Sequence, residues 1–278
     1  MVERARAANQ AGLDSLFVGD HHSTGTYYQN VPIMGRLLAE WDERPAGTLF
    51  LLPLWHPVLV AEQIGTLASI AQGPFIMQCA IGGGDEQFDA FGVSLKERPS
   101  RFEAALDVVR RLCAGDKVST EGPFVISGAR FKPIPPQPLE VWIGARAPAA
   151  VDRAARLGDA FLIGPEATVA EVKSLVATYC EACERHGRAP GPIAVRRDVH
   201  LADTQEAARA LGEPAVASDH RGFDPSVFAI GTVESITEQF AELGRLGCSE
   251  VLIRHFVPNQ DAVLRSFELL GDVRRAVR

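Results

Sequence analysis

Residues 141–164, VWIGARAPAAVDRAARLGDAFLIG, read as strand, helix and strand in direct succession. VWIGA and DAFLIG are short and almost wholly apolar, as strands become when both faces of a parallel sheet are covered. Pro148 opens the segment between them, where a missing N–H costs nothing, and Gly158 stops it. Two strands with a helical crossover are the building unit of α/β folds.

The alternation continues in both directions. Five further strand-like runs are SLFVGD (15–20), GTLFLL (47–52), FIMQCAIG (75–82), IAVRRDVHLA (193–202) and EVLIRHF (250–256). Helical patterns fill the gaps. Ala5 to Ala11 ends at Gly12, Pro57 opens VLVAEQIGTLASIAQ, and Ser100 with Glu103 reads as a capping box before AALDVVRRLCAG. Thr168 with Glu171 caps a segment running to Gly187, Thr232 starts a helix ending in LGRLG, and a last helix begins near Gln260. Seven strands alternating with helices, without linker or repeat, predict α/β architecture in one domain spanning residues 1–278. A TIM (β/α)8 barrel is the leading form and a doubly wound sheet the second. The chain opens on a helix, so the expected barrel lacks its first strand at the N-terminus. Two stretches exceed a simple loop: 116–140, a hairpin with a proline-rich lead, and 203–230, an insertion expected near the barrel mouth.

Composition narrows the function classes. The 278 residues are 46% hydrophobic and 23% charged with a formal net charge of −7, so neither nucleic acid nor an anionic membrane is an expected partner. No apolar run approaches the roughly 20 residues of a transmembrane helix, and the N-terminus MVERARAANQAG has no signal-peptide core. Five cysteines without framework spacing read as reduced thiols of a cytoplasmic protein. Cys180, Cys183 and His186 imitate ligand spacing but fall within one helix and lack a second pair, so no metal is expected.

In a parallel α/β fold ligands bind at the carboxyl ends of the strands. Those ends carry Asp20-His21-His22, Pro53 and Trp55-His56, Gly82-Gly83-Gly84, Gly144-Ala145-Arg146-Ala147, Arg196-Arg197-Asp198 with His200, and Arg254-His255. The adjacent histidines are either polar residues where a strand surfaces or a general acid/base titrating near neutrality, with Asp20 orienting an imidazole or capping a turn. The three glycines form a tight turn or let a planar ring or anion approach the backbone, and their spacing is not a dinucleotide fingerprint. Gly144 to Ala147 lead into a helix N-terminus, which favours phosphate, and Arg146 adds a charge; an ordinary loop is the alternative. Tyr27, Tyr28, Trp55 and Phe223 are candidate aromatic pocket residues.

Taken together, AGLDSLFVGDHH (11–22), GTLFLLPLWHPVLVAEQIGTLASIAQGPF (47–75), IGGGDEQFDAFGV (81–93), KERPSRFEAALDVVRRLCAG (96–115), PPQPLEVWIGARAPAAVDRAARLGDAFL (135–162) and IGTVESITEQFAELGRLGCSEVLIR (230–254) resemble the bacterial luciferase-like flavin-dependent monooxygenases and oxidoreductases. The resemblance implies a TIM barrel using reduced FMN or the deazaflavin coenzyme F420 on a small organic substrate, with a separate flavin reductase in the FMN case, and a homodimer. It places a catalytic histidine at His21 with His22 beside it. It allows a non-proline cis peptide at Leu49–Phe50 under the flavin ring, and puts the flavin phosphate on Gly144 to Ala147. Pro74 replaces an arginine usual in the family, Ile81 stands where luciferase has a phosphate-binding arginine, and Ala147 where it has a serine. Arg146 is then the substitute phosphate ligand. Leu49, Phe50, Gly82, Gly83 and Gly84 would shape the ring site. A non-catalytic flavin-binding relative with an incomplete barrel is the alternative function.

Overall fold

A computed structural model describes residues 1–23, 28–218 and 221–277. Tyr27, and Asp219 and His220 of the 203–230 segment, lie outside the described residues. The chain divides into two compact units, one of residues 14–142 and one of residues 1–13 with 143–278. Helix α1 (Val2–Gln10) belongs to the second.

The 14–142 unit runs β1 (Leu16–Val18), α2 (Asn30–Leu37), β2 (Ala46–Leu51), α3 (Pro57–Ile70), β3 (Phe75–Ala80), α4 (Asp85–Ala90) and α5 (Arg98–Cys113). The hairpin β4 (Val118–Thr120) and β5 (Ile126–Ala129) follows where the 116–140 stretch predicts one. Strand β6 (Glu140–Gly144) begins in this unit. β2 sits between β1 and β3, parallel to both, with Ala46 opposite Leu16 on one side and Phe75 on the other. α3 buries Val60, Ala61, Ile64, Leu67 and Ala68, the three- and four-residue spacing of one helix face. Phe50, Met77, Phe102 and Leu106 are among the fully buried side chains of the core.

Ser100 does not cap α5. The helix starts at Arg98, because Pro99 fits its first turn, and the Ser100 hydroxyl donates to the Glu97 carbonyl at 3.0 Å from inside the helix. α2 is an addition to the sequence reading.

The second unit continues from the end of β6 through α6 (Pro148–Leu157), β7 (Ala160–Ile163), α7 (Val169–Arg185), β8 (Ile193–Leu201) and α8 (Gln205–Ser218). It finishes with β9 (Phe228–Gly231), α9 (Val233–Arg245), β10 (Glu250–His255) and α10 (Gln260–Ala276). β8 organises this unit. β7 pairs with its first residues, β9 with its last, and β10 along Ala194 to Val199, all in parallel. The capping box of α7 forms as the sequence predicts: the Thr168 hydroxyl accepts from the Glu171 N–H and the Glu171 carboxylate from the Thr168 N–H. The 203–230 insertion is half helix, since α8 fills much of it. α1 lies along α10, where Arg4 Nε donates to Gln260 Oε1 at 2.9 Å.

His255 is buried on β10 with Nε2 2.9 Å from Ser266 Oγ, which accepts the Leu201 N–H. Burial, with the nearby Arg4 and His200 adding to it, pushes the His255 pKa down to about 3 from the ordinary 6.5. Between those values the unfolded chain binds a proton that the folded chain refuses, so stability is full above about pH 6.5 and falls as pH drops toward 3. Urea unfolding followed from pH 7 to pH 4 is expected to lose up to about 1.4 kcal/mol per pH unit from this group. His255→Gln should flatten that slope; an unchanged slope would show that other groups set the acid limit.

Candidate functional site

β1 is only three residues long, and the chain leaves it through Gly19-Asp20-His21-His22. Asp20 is 1% exposed, which a carboxylate tolerates only when its charge is met by donors. Its Oδ2 accepts the Leu51 backbone N–H and the Trp55 indole N–H, each at 2.8 Å. Both carboxylate oxygens lie 3.2 Å from His22 Nε2. One buried carboxylate thus ties the end of β1 to the end of β2.

The two histidines occupy different environments. His22 is buried, with Trp55 edge-on at 5.5 Å between ring centres and Phe91 at 4.9 Å. Trp55 also meets Phe50 edge-on at 5.3 Å. His21 is exposed, its carbonyl accepts from Gln29 Nε2 at 3.3 Å, and its own Nε2 lies 3.9 Å from where a Cβ on Gly19 would stand. Asp20 therefore serves as a brace for His22, while His21 remains open to solvent.

The end of β2 is held from a second direction. Asn30, 1% exposed at the start of α2, donates from Nδ2 to the Leu49 carbonyl at 2.6 Å while its Oδ1 accepts the Val31 N–H. The Leu49–Phe50 peptide is trans, and among the described residues the cis bond is at Lys132–Pro133. Asn30 and Asp20 secure the Leu49 carbonyl and Leu51 N–H in a regular strand end, and a trans bond is favoured by about 2.5–4 kcal/mol for a non-proline residue. The Phe50 side chain is fully buried, so this residue faces the core and leaves only its backbone for a ligand, whereas Leu49 is half-buried.

The glycine turn after β3 requires its glycines. Gly82 and Gly84 have φ of 70° and 89°, the left-handed region that side chains disfavour. Gln87 donates to the Gly83 carbonyl, and Arg98 Nη1 donates to the Gly82 carbonyl at 2.9 Å while its Nε holds the Leu95 carbonyl. Three residues along α5, Arg101 Nε donates to the Pro53 carbonyl at 2.9 Å and its guanidinium lies over the Phe124 ring. Arg98 and Arg101 both lie in the KERPSRFE part of the stretch at 96–115 that carries the family resemblance, and the task of each is visible only in the fold. Asn30 was missed altogether. Leu51, Leu54 and Phe88 form the apolar cluster beside these turns, with Leu49 and Trp55 packed on it.

Gly144, Ala145, Arg146 and Ala147 belong to the other unit. The Ala145 N–H is spent on the Leu162 carbonyl at 3.2 Å, and Ala147 precedes α6 in an extended conformation without a side-chain cap. Arg146 is already engaged: Nη2 donates to Glu171 at 2.7 Å and Nη1 stands 3.9 Å from Glu166. The Thr168 N–H, and Arg146 after it, hold the Glu171 carboxyl below its ordinary value. Of the aromatic candidates, Tyr28 is exposed, Trp55 joins the Asp20 cluster, and Phe223 lies under the Arg221 guanidinium in the second unit. Among the described residues no group of three or more His, Cys, Asp or Glu could hold a metal, and no helix is long and apolar enough to cross a membrane.

Comparison with known proteins gives consistent findings. A family model described as luciferase-like monooxygenase matches residues 1–229. F420-dependent glucose-6-phosphate dehydrogenase of Beutenbergia cavernae is 32% identical over 167 residues, which cover 56% of this chain and 49% of that protein. The chain thus spans about half the length of that relative. The 5,10-methylenetetrahydromethanopterin reductase of Methanolobus tindarius is 24% identical over 81% of this chain and 72% of its own length. Among solved structures, the oxygenating constituent of 3,6-diketocamphane monooxygenase from Pseudomonas putida, in complex with FMN, superposes with a TM-score of 0.85 at 18% identity, over 100% of this chain and 92% of that one. That likeness extends the parallel α/β reading to a luciferase-like TIM-barrel fold.

Proposed function

Because the chain belongs to the luciferase-like monooxygenase family, matched over residues 1–229, we propose that it is an oxidoreductase working with a reduced deazaflavin or flavin, F420 or FMN, on a small organic substrate. The observation that carries the reading is the Asp20–His22–Trp55 brace, which fixes a strand end and leaves His21 open beside it. The names of the relatives favour F420, since the Beutenbergia cavernae protein is F420-dependent.

The residues of the 14–142 unit fit a planar ring. A Cβ on Gly82 would stand in ordinary contact with the Phe88 ring at 3.4 Å and Leu51 at 3.6 Å, so the backbone there runs against the apolar cluster. Leu49 and Gly82 to Gly84 would line the ring, and Leu51, Leu54 and Phe88 would keep water away from it. When bound, a reduced deazaflavin supplies a hydride and a reduced flavin supplies electrons for oxygenation. His21 gives or takes the proton that accompanies this at an imidazole nitrogen, while Asp20 and His22 hold the loop that carries it. Gly144 to Ala147 are proposed as the phosphate segment, supported by the absence of a side-chain cap on α6, with the Ala145 N–H, held by the Leu162 carbonyl, taking no part. FMN use would need a separate flavin reductase, and a homodimer is the proposed assembly.

A non-catalytic flavin-binding relative is the second reading, favoured by the engagement of Arg146 with Glu171. The two separate in one experiment. Oxidised F420 and FMN are titrated into the protein and binding is read from cofactor fluorescence, followed by turnover with the reduced forms over a panel of small alcohols, aldehydes and ketones. Saturable binding of one cofactor with turnover is expected. Binding with no turnover across the panel supports the second reading, and binding of neither overturns both.

A further inference from the structure

Gln78 interrupts the apolar run FIMQCA of β3. Side chains alternate across a strand, so Ile76, Gln78 and Ala80 share one face. The register sets Gly47, Leu49 and Leu51 of β2 beside them in that order. Leu49, Leu51 and Ala80 belong to the apolar cluster at the strand ends. Gln78 thus stands level with Leu49, one layer below Leu51 and Ala80.

The layer beneath is closed by aromatic rings. Gly47 has no side chain, and the ring of Phe17, its register partner on β1, takes the place of one: a Cβ there would lie 2.7 Å from that ring. Phe17 in turn meets Trp142 at 5.3 Å between ring centres, and the Trp142 indole N–H donates to Glu140 Oε1 at 2.6 Å. Gln78 therefore lies in an apolar column, with Ile76 below it, Ala80 above and Leu49 alongside.

In that column its amide is only half explained. Gln78 is 5% exposed, and its Nε2 is buried with no hydrogen-bond partner among the described residues. The Leu49 carbonyl, on the residue opposite, already accepts from Asn30. A buried donor without an acceptor carries its full desolvation cost, and a methionine or leucine would suit the same column without it. Folding alone gives no reason for an amide here, whereas an acceptor brought by a ligand does.

We propose that Gln78 Nε2 is a binding donor for the cofactor ring, giving its N–H to a carbonyl oxygen of the pyrimidine-dione edge that flavins and deazaflavins share. The proposal rests on the redox reading of this unit and adds to it which edge of the ring lies against β3. The two carbonyls of that edge are acceptors that match a lone N–H donor. The benzenoid edge of FMN carries methyl groups and would leave the same donor unpaired.

Oxidised FMN and F420 are titrated into the wild-type chain and into Gln78→Met, with binding read from cofactor fluorescence. Urea unfolding of each protein without cofactor is measured alongside. Gln78→Met is expected to bind about tenfold more weakly, the loss of one hydrogen bond. Its urea midpoint should equal or exceed that of wild type, because an unpaired buried donor has been removed. An amide that serves the fold gives the opposite pair, a lower midpoint with unchanged affinity, and that result overturns the proposal. Equal affinity at an unchanged midpoint overturns it too. Gln78→Leu carries the same comparison if Gln78→Met does not fold. Wild-type binding of neither cofactor overturns the redox reading and this donor together; wild-type binding that the variant retains in full removes the donor alone.

Discussion

Asp20→Ala is expected to cost about 3–5 kcal/mol of folding stability, because it strands two buried donors at about 1–3 kcal/mol each and leaves His22 without its partner. The Leu51 N–H and the Trp55 indole N–H both end on Oδ2 of this one carboxylate, 31 and 35 residues away in the chain. No other acceptor replaces a deleted carboxylate in a space this closed, since Asp20 itself is 1% exposed. Asp20→Asn should lose less, as its single carbonyl oxygen still accepts from one or both donors. Urea unfolding followed by tryptophan emission reads the effect directly, since Trp55 is a reporter inside the cluster. A loss below about 1 kcal/mol would mean that the strand ends are held by packing alone.

The second large effect is on activity. His21→Ala should lower turnover by about 10²- to 10⁴-fold, the usual contribution of a positioned acid or base, while stability changes by no more than about 0.5 kcal/mol for an exposed side chain. His22→Ala should do the reverse: it empties a buried place between Trp55 and Phe91 and costs folding stability first. The comparison requires the cofactor identified by titration and a substrate found with it. Full turnover by His21→Ala would remove His21 from the chemistry. A well-folded His22→Ala protein that binds cofactor but does not turn over would transfer the role to its neighbour.

Much of the fold could be read from local pattern. All seven apolar runs became strands, because strands covered on both faces leave few polar positions to confuse the signal. β9 was missed: FAIG is four residues long and runs straight into the Thr232 cap, so it leaves too little periodicity to detect. α2 was hidden by Pro32 and Gly35 within its eight residues. At the site, the tripeptide Asp20-His21-His22 stood out by composition and position. Its division of labour did not, because that depends on where the carboxylate turns, and the decisive partner is Trp55 on another strand end. Arg146 depends on the fold in the same way. Its spacing before a helix suggested a phosphate ligand, and only the fold shows Glu171, 25 residues on, occupying its guanidinium.

The pairing of α1 with α10 bears on synthesis. Arg4 and Gln260 are 256 residues apart, yet they share a hydrogen bond within one compact unit, and the 14–142 unit lies between them in sequence. A ribosome adding about 5–20 residues per second needs roughly ten to fifty seconds to cross that gap. Throughout that time the nascent α1 has no α10 to cover Ala5 and Ala8, the residues it buries in the finished protein. The 14–142 unit is complete in sequence long before the other and is free to fold first. Helix α1 is therefore made before the 14–142 unit, yet it finds its place only after α10 has followed that unit out of the ribosome.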